Sequence, residues 1–335
     1  MTSRASTLSQ KEIGNADADL SLKTVRIGLV GAGAIGRHHA RVVQEIIGAQ
    51  LVGICDTDPL QAQKVCEKEI NYYASLDRLI ADSEALIIAT PTSTHFEVAS
   101  RALNQGKHVL VEKPLADTVE RARELVSIAQ KSSCHCVVGH VERFNPVVRW
   151  FRNSVSSADI LSINITRVGP RPPRIKDVGI IIDLAVHDID LIAHLCQSPI
   201  ETIQSVCQAT NGMHEDVAQI SIRTESGVVA GINTNWLTPY KSRRIELATA
   251  GAFYVGDLVS GVITKYQTNT DQSPRAYTVQ SFFPKGTEPL MEQALSFLNL
   301  IRGEKNSENA TAIEGCRTVE LAVSCLDKRR SENPG

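Results

Sequence analysis

A chain of 335 residues is longer than a single hydrophobic core usually organises, about 250–300 residues, so two domains are expected. Hydrophobic residues make up 42% and charged residues 21%, the balance of a globular protein, and a net charge of −2 offers no field for nucleic acid or an anionic membrane. No apolar run approaches the roughly 20 residues of a spanning helix, so neither a nucleic-acid nor a membrane partner is expected.

Residues 1–22 are polar, without the apolar centre of a signal peptide, and are expected to form a disordered tail. Thr24 to Val30 then reads as an apolar strand, followed at once by Gly31-Ala-Gly-Ala-Ile-Gly36 and by helix-forming residues from Ile35 to Ile47. GxGxxG is a weak signal alone, but between a strand and a helix it has the context of a dinucleotide loop. Gly31 permits the tight turn, Gly33 lets the backbone approach a pyrophosphate, and Gly36 allows close helix–strand packing. Ala34 and Ile35 open the helix, whose N-terminal N–H groups and positive dipole end suit phosphates. A second strand, Gln50 to Asp56, ends in a carboxylate placed to accept from ribose hydroxyls and to repel a 2′-phosphate. No arginine stands at 57 or 58, so NAD is the expected cofactor rather than NADP.

Helix and strand signals go on alternating. Leu60–Lys68, Thr94–Asn104 and Thr118–Lys131 read as helices, and Ala85–Thr90, His108–Glu112 and Cys134–Gly139 as strands. This alternation predicts a Rossmann-type α/β domain, a doubly wound parallel sheet. Ligands of such sheets bind beyond the carboxyl ends of the strands. Pro114 stops the strand 108–112, which puts Lys113 at the lip of the sheet beside a cofactor.

Eight cysteines are scattered without a CxxC pair, which suits reduced thiols and a cytoplasmic location. Cys134, Cys136 and His140 alternate along a strand, where cysteine packs as a small hydrophobe, so no metal is expected.

After a short amphipathic helix over Pro146–Arg152 the pattern changes. Ile160–Arg167, Ile203–Gln208, Val217–Arg223, Val228–Trp236, Arg244–Ala250 and Tyr277–Phe283 read as strands, with Glu225-Ser-Gly227 as a hairpin turn. These predict an α+β domain with an open-faced, mostly antiparallel sheet. One face is covered by a helix over Ile181–Cys196, and the other is left for a homodimer or homotetramer contact. The expected boundaries are 23–143 for the NAD-binding domain, with a returning helix at about 310–328, and 144–309 for the substrate and oligomerisation domain. The apolar helices Leu290–Ile301 and Ala312–Cys325 are both candidates to return to the first domain.

Asp183 and His187 stand four apart on one face of a strongly apolar helix. Buried polar groups need partners, and a ligand-lined cleft supplies them. A neutral histidine can take a hydroxyl proton, Lys113 can stabilise the alkoxide, and Asp183 can orient the substrate or the imidazole. Which of Lys113 and His187 takes the proton is not fixed by spacing. His194 reads as packing or surface. Arg167, Arg171, Arg174 and Lys176 crowd a proline-stiffened loop before this helix, and arginine forks suit a diphosphate. Arg143 and Asn145 follow the last strand of the first domain and are placed to reach the substrate or cofactor. Trp236, Tyr240 and Lys241 end a strand and are candidates for a base or a phosphate.

The Gly31–Gly36 loop, Ala89-Thr-Pro-Thr-Ser-Thr-His95, Val111-Glu-Lys-Pro114 and the pair Asp183 and His187 together resemble the Gfo/Idh/MocA oxidoreductase family over about residues 23–328. The resemblance implies a Rossmann domain followed by an open-faced sheet, with lysine and histidine acting on a sugar or cyclitol hydroxyl. It further implies that Thr90, Pro91, Thr92 and His95 line the cofactor path and that Glu112 and Lys113 lie near the nicotinamide ribose. The segments Val138–Pro146, Arg167–Gly179 and Leu184–Asp190 resemble a narrower branch, the UDP-N-acetylglucosamine 3-dehydrogenases. That branch implies a UDP-sugar substrate, an aminotransferase acting on its 3-keto product, and a 3-amino sugar for lipid A or another surface glycan.

Overall fold

The computed structural model describes residues 24–332 except 67–69, 174, 176–177, 211, 269–275 and 306, with side chains as far as residue 326. The expected tail, residues 1–22, lies outside the described residues.

The first half runs β1 (Val25–Val30), α1 (Ala34–Glu45), β2 (Ala49–Cys55), α2 (Pro59–Val65), β3 (Asn71–Tyr72), α3 (Leu76–Asp82), β4 (Ala85–Ile88), α4 (Thr92–Asn104), β5 (His108–Glu112), α5 (Val119–Ser132) and β6 (Cys136–Gly139). Every residue of β4 and β6 is buried, as expected of parallel strands with helices on both faces. A 3₁₀ turn at Val141–Phe144 leads into α6 (Pro146–Ser154) and β7 (Ile160–Val168), and a wide turn at Ile181–Ala185 into α7 (Val186–Cys196). Then follow β8 (Ile200–Gln208), β9 (Val217–Thr224), β10 (Val229–Asn235), β11 (Ser242–Thr249), β12 (Ala252–Asp257), β13 (Val262–Thr268) and β14 (Tyr277–Phe282). The chain closes with α8 (Pro289–Ile301), β15 (Ala310–Thr311) and α9 (Ala312–Glu332).

Among the described residues seven strands form the first sheet in the order β15-β6-β5-β4-β1-β2-β3, parallel except for β15. The winding reverses between β4 and β1, so their carboxyl ends open the crevice where a ligand binds. On one side Val42 and Val43 of α1 pack with Leu290, Phe297 and Leu298 of α8 over Ile27, Leu29 and Ile87. On the other, Leu103, Ala122, Leu125 and Val319 pack over Leu86, Ile88, Val109 and Val111. Thus α8, which the boundary at 309 counts with the second domain, buries its apolar stripe in the first.

Among the described residues eight strands form the second sheet, β14-β13-β12-β11-β7-β10-β9-β8, antiparallel throughout except for the pair β7 and β10. Its inner residues, among them Ile163, Ile165, Ile220, Ile232, Ile245 and Leu247, pack against Ile189, Ile192 and Leu195 of α7 and Val147 and Phe151 of α6. The outer face exposes Val206, Val229, Phe253 and Val279. α9 joins the halves, with Cys316 and Val319 in one core and Leu321, Ala322 and Cys325 in the other. Among the described residues no helix is long and apolar enough to cross a membrane.

Candidate active site

The glycine loop is shaped by contacts that exclude side chains. Gly31 has φ +98°, and a Cβ there would stand 2.6 Å from the Ala89 carbonyl oxygen. A Cβ on Gly36 would meet the Gly31 carbonyl, so helix and turn touch backbone to backbone. At Gly33 a Cβ would meet nothing within 4 Å, which leaves space over the loop for a phosphate. Gly33, Ala34 and Ile35 are exposed around that space, and α1 begins with no side-chain cap and no acidic residue in its first turn. Its free N–H groups therefore face outward, as a pyrophosphate requires. Asp56 accepts from the Ala32 N–H at 2.6 Å and the Asp58 N–H at 2.8 Å, which fixes its carboxylate beside the loop with acceptor capacity left for ribose hydroxyls. These residues fit an NAD dinucleotide.

Next to β1 in the sheet, β4 carries Thr90, Pro91 and Thr92 at its carboxyl end, against the Gly31 turn. His95 does not line the cofactor path. Its ring is 1% exposed, with Nδ1 2.9 Å from the Pro114 carbonyl and Nε2 2.9 Å from the Thr90 carbonyl. It ties the end of β4 to the turn after β5. Glu112 is likewise committed inward, bonded at 2.8 Å to the buried His39 of α1, and this pairing helps hold its carboxyl below the ordinary value despite burial. Sequence reading missed His39, because helical spacing marks it only as one more residue on the packed face.

Lys113, just past Glu112, reaches across to the second domain. Its Nζ donates to the Asp183 carbonyl oxygen at 2.7 Å and lies 3.4 Å from Asp183 Oδ1. The wide turn at Ile181–Ala185 explains the first contact. Val186 N–H donates to the Ile181 carbonyl five residues back, a π-type turn that loosens the local ladder where a partner can enter. Asp183 and His187 therefore do not lie on a regular helix, as their spacing suggested. Glu215 holds the start of this turn: its carboxylate accepts the Ile181 N–H, and it fills the place a Cβ on Gly179 would need.

His187 lies beside this turn, half-buried, with its Nδ1 shut off from solvent. Burial first, then the positive charges of Lys113 and Arg167, hold its imidazole well below the ordinary value, so the ring is neutral at pH 7. Its Nδ1 has no hydrogen-bond partner among the described residues, and its ring meets His140 edge-on at 6.4 Å. Burial also lowers Lys113, against the pull of Asp183 and Glu112.

The arginines fall into different places. Arg143 does not reach a ligand; it is 3% exposed and locked to Asp190 at 2.6 Å and Glu314 at 3.0 Å. Arg167 is not on the loop but within β7, 2% exposed, held by Asp188 at 2.8 Å and Glu142 at 2.9 Å. It acts on the site through its charge. Burial pushes the Asp188 carboxyl up to about 6 even so. Arg171 is partly exposed, donates to Asp216 at 3.1 Å and lies over the Trp236 ring at 4.7 Å. Trp236 is thereby capped and buried, with no ring face left for a base, whereas Tyr240 and Lys241 are exposed. Arg174 and Lys176 lie outside the described residues. Arg243, unmarked by any motif, donates to Glu142 at 2.7 Å and remains 31% exposed.

A glycine loop at a topological switch point, an acidic residue just past β2, and a half-buried lysine and histidine at the crevice define a dinucleotide-dependent oxidoreductase. Comparison with known proteins agrees. The profile of the oxidoreductase family with the NAD-binding Rossmann fold matches residues 25–140, and the C-terminal domain profile of the same family matches residues 157–253. The chain belongs to the GFO/IDH/MocA oxidoreductase family. It is 30% identical to the UDP-N-acetylglucosamine 3-dehydrogenase of Acidithiobacillus ferrooxidans over 75% of this chain and 79% of that one. The solved structure of that enzyme superposes with a TM-score of 0.83, covering 90% of this chain and 96% of its own at 26% identity. The scyllo-inositol 2-dehydrogenase (NAD(+)) of Bacillus subtilis is 29% identical over 92% of this chain and 95% of its own.

Proposed function

We propose that this oxidoreductase oxidises the 3-hydroxyl of UDP-N-acetylglucosamine to the 3-keto sugar nucleotide. The observation that carries the reading is the crossing of Lys113 from the end of β5 to Asp183, beside a histidine kept neutral by burial and cations. Likeness to the Acidithiobacillus enzyme over three quarters of the chain supports the sugar nucleotide.

The Gly31–Gly36 loop and Asp56 would hold NAD, which would supply the acceptor for the hydride of the carbinol carbon. Neutral His187 takes the hydroxyl proton as the C–H bond breaks, and the Lys113 ammonium faces the oxygen as negative charge grows on it. Asp183 fixes Lys113 through its carbonyl and carboxylate. Lys113, Arg167 and Arg243 together make an imidazolium costly, so the proton passes on to solvent rather than resting on His187. A ketone next to an N-acetyl carbon is the substrate an aminotransferase needs, so the product feeds a 3-amino sugar of a surface glycan such as lipid A. The uncovered outer face of the second sheet serves a homodimer or homotetramer, and such a biosynthetic step belongs in the cytoplasm.

The test is NADH formation from NAD with UDP-N-acetylglucosamine, inositol and a UDP-hexuronic acid in parallel, the ketone being trapped by glutamate and an aminotransferase. NADH with the N-acetylglucosamine nucleotide alone is expected. NADH with inositol instead would keep the family and replace the substrate.

A further inference from the structure

Arg243 and Arg167 are direct partners across the antiparallel β11–β7 pair and point to the same face. Like charges opposite each other on adjacent strands destabilise a sheet unless something lies between them. Here Glu142 Oε1 is shared, 2.9 Å from Arg167 and 2.7 Å from Arg243. Asp188 is spent on Arg167 alone. Arg243 is thus left with half a carboxylate, and Nη1 is its one bonded nitrogen among the described residues. Two residues earlier, Lys241 has no bonded partner among the described residues, and Arg243 is the foremost cause lowering it. Through Glu142 the Arg243 guanidinium sits beside Arg167 and its partner Asp188, the residue after His187, on the wall of the same cleft. Lys113 is matched by Asp183 and Glu112, and Arg167 by Asp188 and Glu142, so the poorly matched cations are Arg243 and Lys241, on the accessible side.

We infer that Arg243 and Lys241 bind a phosphate group of the substrate, with the free edge of the Arg243 guanidinium as the principal contact. An uncompensated pair of cations facing a cleft costs stability, and a bound phosphate offsets that cost through charge-assisted hydrogen bonds. The inference rests on the sugar-nucleotide reading for the identity of the ligand, which would present a diphosphate to this wall while the sugar faces Lys113 and His187. It moves the anion contact from Arg167, consumed by internal carboxylates, to Arg243 near the start of β11.

The experiment is calorimetric titration of the NAD-saturated protein with UDP, inorganic pyrophosphate and uridine, since saturation with NAD closes the glycine loop to competing anions. UDP and pyrophosphate should bind, uridine much more weakly. Arg243→Met should lose about 10- to 100-fold in affinity for both anions, the effect of one charge-assisted hydrogen bond, with NAD affinity unchanged. Arg243→Lys should recover part of the loss. Lys241→Met, on the exposed rim with no buried partner to strand, reads the same site if Arg243→Met fails to fold. Pyrophosphate bound through Arg243, with UDP no tighter, would support the anion site and count against the nucleotide in the functional reading. Equal affinity of wild type and both methionine variants for the anions, or no anion binding by wild type, would overturn the inference.

Discussion

Arg143 and Arg167 are alike in burial, 3% and 2% exposed, and each is gripped by two carboxylates, yet they differ in what they do to their surroundings. Around Arg143 one guanidinium meets Asp190 and Glu314, so no positive charge is left over. Around Arg167 a second arginine draws on the same Glu142, and Lys113 lies close enough for its charge to register. The first cluster fastens α9 to the turn before α6 and to α7. The second adds its charge to the burial that keeps His187 neutral, and gives the cleft its positive wall. A buried arginine is thus no guide to a substrate contact until its carboxylates have been counted.

The sharpest break in this comparison is at Lys113. Lys113→Met should lower kcat by about 10²–10⁴-fold while leaving NAD affinity nearly intact, measured by stopped-flow turnover and cofactor titration. Full activity would remove the lysine from the chemistry.

Arg143→Met and Arg167→Met should each cost about 3–5 kcal/mol in denaturant unfolding, because each strands buried carboxylates. They should differ in the pH–rate profile of the folded fraction. Loss of the Arg167 charge lets His187 protonate more readily, so the acid limb should move to higher pH, whereas Arg143→Met should leave it in place. Identical profiles would dissolve the distinction.

His187→Asn should slow turnover by about 10²-fold and abolish that acid limb. The sign follows from the depressed native value. An unfolded chain takes up a proton on this ring near about pH 6.5 that the folded site refuses. The contribution to stability is therefore whole above that pH and declines as pH falls toward the lower native value. His187→Asn should flatten this part of the stability–pH curve, read by thermal unfolding across pH 5–8.

Asp56→Ala should have the smallest effect, roughly tenfold in NAD over NADP preference, since it removes one charge-assisted contact. Because Asp56 also holds the Ala32 N–H, some loss of NAD affinity should accompany it.

The two halves of the site were unequally legible. The strand, glycine turn and helix from Val25 to Glu45, and the strand ending at Glu112, follow from local periodicity and from glycines whose Cβ positions are occupied by backbone. Lys113 could be placed at the sheet lip because a strand end is a local property. The roles of Arg143, Arg167, His95 and Trp236 could not, because each is decided by partners far along the chain: Asp190, Asp188, Pro114 and Arg171. The basic cluster 167–176 was read as one loop, but strand β7 runs through Val168 and turns Arg167 inward. Strands β12 and β13 carry a weak signal because β12 is short and ends in Gly256-Asp257, and β13 turns polar at Lys265 and Gln267. The π-type turn at Ile181–Ala185 has no signature in an apolar run, although it decides how Asp183 meets Lys113.

The most direct test of the account is to supply UDP-N-acetylglucosamine deuterated at C3, with NAD and an aminotransferase trap, and follow the label. Deuterium appearing on the reduced nicotinamide, with a slowed single-turnover rate, is the predicted result. Reduced nicotinamide without the label, or none formed, would contradict oxidation at C3.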